Sequence, residues 1–97
     1  MAFSTEKKEM MINSLVERLP LIRQEMNVSQ TELGEKVGLS RQSISSIERG
    51  ISKLSWNNYL AIMMFLVANR EKCTSLLNEN NSDLDNDLNE VIKILDS

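Results

Sequence analysis

The chain has 97 residues, a net charge of −3, one cysteine and no histidine. That length makes one domain with one core, and the composition excludes an internal disulfide and a histidine-based catalytic triad and argues against a zinc site. The lone Cys73 fits a reducing, cytoplasmic compartment, and almost nothing alternates with period two, so the expected class is all-α.

A first helix is expected to start near Ser4 or Thr5 and to run through "EKKEMMINSLVERL". Pro20 removes a backbone donor and crowds the preceding turn, so the helix is expected to kink or break there, with "PLIRQEM" continuing at a new angle. Asn27 suits the end of that helix because asparagine tolerates the left-handed conformation. Ser29 with Glu32 forms a capping box that starts a second helix over about 30–37, which Gly38 stops. Ser40 caps a third helix over about 41–49, stopped by Gly50. Ser55 caps a fourth over about 56–68, and Asn69 starts a fifth through "REKCTSLLNE". After the loop "NENNSD", Ser82 opens a last amphipathic helix. The expected division is an N-terminal helical extension (1–18), a central unit (19–78) and an acidic helical tail (79–97).

The run "YLAIMMFLVA", from Tyr59 to Ala68, is far shorter than the roughly 20 residues a membrane span needs. It reads as a buried helix, apolar on every side and therefore needing cover all round. The N-terminus lacks the basic-then-apolar order of a signal peptide.

Charge is unevenly spread. Residues 29–53 carry Lys36, Arg41, Arg49 and Lys53 against Glu32, Glu35 and Glu48, whereas residues 79–97 carry six acids against Lys93. Without its tail the chain is mildly positive, so the overall negative sign does not exclude a polyanionic partner.

On a wheel at ~100° per residue, Ile44 and Ile47 of the third helix share one face and point at the core. Gln42, Ser45, Ser46 and Arg49 lie opposite, and Arg41 projects from the first turn. In the second helix Leu33 and Val37 form the inward stripe, and Gly34 lies beside it. Glycine in a helix interior costs about 1 kcal/mol relative to alanine. Its use here is steric: it lets the third helix cross the second steeply through the turn "VGLS". Two short helices so arranged make a helix-turn-helix, in which the second helix enters the DNA major groove. Arginine suits guanine and glutamine suits adenine, while serines permit close approach.

The ordered stretch "SQTELGEKVGLSRQSISSIERG" resembles the helix-turn-helix of the lambda-repressor-like, Cro/CI-type regulators, also called the xenobiotic-response-element family. The resemblance covers about Leu19 to Val67. It implies a compact bundle of about five helices with the motif at 30–49, here with the N-terminal extension and the C-terminal amphipathic helix added. It further implies that Gln30 meets a phosphate, that Arg41, Gln42 and Ser43, with Ser46, face the bases, and that Lys53 meets the DNA backbone. Ser40, Ser45 and Arg49 complete the expected DNA-binding set. Arg23 and Glu48 match a pair that commonly joins the first and third helices. Pro20 and the long acidic tail depart from the family pattern.

Glu48 lies on the flank of the core, where an unpaired charge is costly, and Arg23 is the expected partner. Cys73 and the six methionines read as packing residues rather than redox or metal groups. Asp83, Asp85 and Asp87 lack the glycine and terminal glutamate of a calcium loop. No cofactor is implied, and no cluster suggests an enzyme. Leu84, Leu88, Val91 and Leu95 make a narrow apolar seam in the tail. That seam and the resemblance point to a homodimer on a double-stranded operator, acting more often as a repressor than as an activator. The competing expectations are that the seam folds back on its own domain, or that the tail binds a partner protein as in an antitoxin.

Overall fold

The computed structural model describes residues 4–69 and 89–93, and every regular element among them is helical. The elements are α1 (Thr5–Met26), α2 (Gln30–Val37), α3 (Arg41–Glu48) and α4 (Trp56–Ala68), followed by a helical segment at 89–93. The expected fifth helix after Asn69 and most of the tail lie outside the described residues.

Serine hydroxyls set all four helix starts. Ser4 accepts from the Lys7 amide at 3.1 Å, Ser40 from Ser43 at 3.0 Å and Ser55 from Asn58 at 3.1 Å. At α2 the bonding is reciprocal: the Glu32 amide donates to the Ser29 hydroxyl at 3.0 Å, and the Ser29 amide donates to the Glu32 carboxylate at 3.1 Å. Such caps satisfy donors that the first turn of a helix leaves open. The ends follow from left-handed residues: Asn27 closes α1 at φ 59° and Gly38 closes α2 at φ 81°.

Pro20 does not break α1, which runs across it as one helix of 22 residues. The reason is packing. Met11, Leu15, Leu19, Ile22 and Met26 form one buried stripe spaced by three or four residues, on both sides of the proline. A proline in a helix interior costs about 3 kcal/mol. Each large apolar side chain buried contributes about 1.5–3 kcal/mol, and two of the five, Ile22 and Met26, follow Pro20, so continuing the helix wins.

The core joins that stripe to Leu33 of α2, Ile44 and Ile47 of α3, Leu54, and Tyr59, Ile62, Met63 and Leu66 of α4. Val91, from the 89–93 segment, is also fully buried in it. Lys7 on α1 pairs with Glu90 at 3.7 Å, so this part of the tail lies on the chain's own domain. At the adjacent position of the same first turn, Lys8 sits 5.2 Å from the Trp56 ring centroid, and Trp56 stacks on Tyr59 at 4.9 Å. The uniformly apolar α4 is not covered all round by the described residues, because Met64 remains 50% exposed. No helix among those residues is long and apolar enough to cross a membrane.

Gly34 is buried where α2 meets the following turn. A Cβ there would collide with the carbonyl oxygen of Leu39 and stand 3.2 Å from its carbonyl carbon. The same turn is fixed by the Leu39 amide donating to the Gly34 carbonyl at 2.8 Å. The close approach is thus to the turn backbone entering α3, one step before the helix body. Gly34→Ala is expected to lower stability by about 1–3 kcal/mol, although alanine is the better helix former. Urea unfolding of the two proteins checks the sign: a variant as stable as the parent would mean that the turn yields freely.

Candidate nucleic-acid interface

The site is assembled on α3. Ile44 and Ile47 are 0% and 4% exposed and anchor one side of the helix in the core. Their burial forces the opposite side outward. Arg41, Gln42 and Arg49 are exposed, and Ser45 and Ser46 are half-buried along the same ridge. Ser40 is exposed and occupied by capping, and its hydroxyl also donates to that of Ser43 at 3.0 Å. Ser43 therefore sits at the edge of the ridge, engaged within the first turn. Lys53, on the loop between α3 and α4, is exposed.

A half-buried network braces the ridge from behind. Arg23 on α1 donates through Nε to Glu48 Oε2 at 2.6 Å and through Nη2 to Oε1 at 2.8 Å, a bidentate pair. The two side chains are 16% and 6% exposed. Arg23 also donates from Nη1 to the Val28 carbonyl at 3.2 Å, which fixes the turn between α1 and α2. Gln30, the first residue of α2, donates from Nε2 to Glu48 Oε1 at 3.1 Å. One carboxylate at the end of α3 thus ties together α1 and the start of α2.

The hydrogen bond from Arg23 to Glu48 holds the guanidinium above the usual arginine range, outweighing the opposite effect of burial, and the nearby negative charge adds to it. For a base whose pKa is raised on folding, the stabilisation is present below the unfolded value and lost only as pH rises through the folded one. Loss on the arginine side is therefore confined to strongly alkaline solution.

The structure brings Ser40, Arg41, Gln42, Ser43, Ser45, Ser46 and Arg49 together on one helix and its caps, with Lys53 on the next loop. Gln30 stands apart, half-buried on α2 with its amide nitrogen engaged by Glu48. Sequence reasoning missed that link, and also the bond from Arg23 to Val28. No spacing rule announces either one, since both depend on the angle between helices.

A short capped helix, its outer ridge polar and positive, crossing another through a glycine turn defines a helix-turn-helix DNA-binding protein. Residues 21–63 match a family model described as Helix-turn-helix. That span is a helix-turn-helix domain of the Cro/CI-type, xenobiotic-response-element kind, which supports a DNA-binding regulator. Searches of curated proteins and of solved structures returned no match.

Removing one partner of a buried ion pair leaves the other charge uncompensated, at a cost of up to about 3–5 kcal/mol, and this half-buried pair belongs at or below the low end. Glu48→Ala is expected to fall there by urea unfolding. The double variant Arg23→Met with Glu48→Leu should lose less than either single change. Additive losses would show that the two side chains do not act as a pair.

Proposed function

We propose that this protein represses transcription by occupying a double-stranded operator as a homodimer, reading the major groove with α3. The observation that carries the reading is the exposed ridge of Arg41, Gln42 and Arg49 on a helix whose other side is locked by Ile44 and Ile47. Arg41 and Gln42 lie in the first turn, the end of the helix that meets base edges in this motif. A guanidinium bonds two acceptors of guanine and a carboxamide bonds adenine. Ser45 and Ser46 keep the ridge low, and Ser40 and Ser43 stand at the phosphates that flank the groove. Arg49 and Lys53 meet the strand backbone. Gln30 approaches a phosphate with the amide hydrogen that Glu48 leaves over.

Two copies would set their recognition helices about 34 Å apart, one turn of the duplex. The dimer rests on the habit of Cro/CI-type regulators of reading paired half-sites. The tail seam lends it less support, because Val91 is spent on the chain's own core. The same burial weakens the reading of the tail as a partner-binding arm. Acting on DNA in this way places the protein in the cytoplasm.

Selection of bound duplexes from a random-sequence pool, using the full chain, tests the reading. A recovered motif with two-fold symmetry is the expected result, and recovery without enrichment would sink it. At the selected site Arg41→Ala is expected to cost about 1–3 kcal/mol of affinity. Lys53→Ala should weaken all duplexes alike and flatten the dependence of log affinity on log salt by about one unit. Fluorescence anisotropy across a salt series measures both, and a Lys53 effect confined to one base pair would contradict the backbone role.

A further inference from the structure

Ile51 lies on the loop after α3, among the expected DNA contacts but not one of them. It is 67% exposed. Apolar surface is driven out of water, yet this side chain has no route inward, because its backbone is pinned. The Gly50 amide donates to the Ile47 carbonyl at 3.0 Å, and the Ile51 and Ser52 amides donate to the Ser46 carbonyl at 2.9 and 3.2 Å. Gly50 supplies the left-handed turn at φ 77° that these bonds require.

Ser46 belongs to the outer ridge, so the loop is held at the C-terminal end of that ridge. Arg49 and Lys53, both exposed, stand two residues before and two residues after Ile51. The order along the chain is cation, apolar group, cation. A nucleic-acid strand offers the complementary order of phosphate, sugar and phosphate. Its deoxyribose C–H faces are the apolar surface that alternates with its charges.

We propose that Ile51 packs against a deoxyribose of the operator backbone, between two phosphates met by Arg49 and Lys53. The inference rests on the DNA-binding reading above. The contact is uncharged and blind to base identity. It fixes how deeply the C-terminal end of α3 settles against the strand.

The test compares the full chain with Ile51→Ser and Ile51→Leu, on the duplex enriched from the random pool and on an unrelated duplex of equal length. Ile51→Ser is expected to weaken both by about three- to tenfold. The slope of log affinity against log salt should not change, because no charge is lost. Ile51→Leu should bind within about twofold of the parent, and both variants should melt with it. Unchanged affinity of Ile51→Ser on both duplexes overturns the proposal. A loss limited to one base pair, and abolished when its thymine is replaced by uracil, overturns it in favour of a methyl contact. A change in the sedimentation of the free protein overturns it in favour of a second copy covering this loop. If the parent binds no duplex, the DNA-binding reading fails and takes the contact with it. If the parent binds and Ile51→Ser binds equally, only the contact fails.

Discussion

The carbonyl oxygen of Leu39 occupies the space that any side chain at position 34 would need. That exclusion sets how α2 and α3 meet. With glycine at 34, the turn folds back over α2 closely enough for its own amide to bond the Gly34 carbonyl. From there Ser40 caps α3, Ile44 and Ile47 sink into the core, and the polar ridge has no direction left but outward. The weak helix propensity of glycine is outweighed by a backbone contact that other residues forbid.

The second determinant is Glu48. A carboxylate this deeply covered requires several donors, and it has three, from Arg23 and Gln30. Each comes from a different part of the chain than the helix that carries it. The glycine turn fixes one end of α3 and the Glu48 network fixes the other. An eight-residue helix has little stability of its own, so a surface proposed to meet a rigid duplex gains from having both ends held. Pre-organisation of this kind lowers the entropy lost on binding.

Much of this was legible in the sequence, for local reasons. Serines at 4, 29, 40 and 55, together with Asn27 and Gly38, mark helix limits because their side chains or φ angles satisfy terminal backbone groups. The inward faces of α2 and α3 followed from periodicity. At Pro20 the local penalty allows a break, and the apolar stripe on both sides of it is what keeps α1 one helix. The inward turn of the Gln30 amide was hidden, since a wheel gives the direction of a side chain but not the partner that another helix brings to it. In the sequence Val91 is one of four seam residues, and its place within the chain's own core depends on distant geometry. Ile51 gave no signal, because a single apolar residue after a glycine is unremarkable until its exposure is known.

Val91 has one more consequence. The core that begins with Met11 is completed by a residue eighty positions later, and Lys7 meets Glu90 across a similar span. Chains grow from the N-terminus at about 5–20 residues per second. During synthesis Met11 and its neighbours on α1 therefore emerge well before Val91, which packs fully buried among them. Until Val91 is made, the apolar surface it covers stays open to water, so this domain reaches its final packing only after α4 has been synthesised.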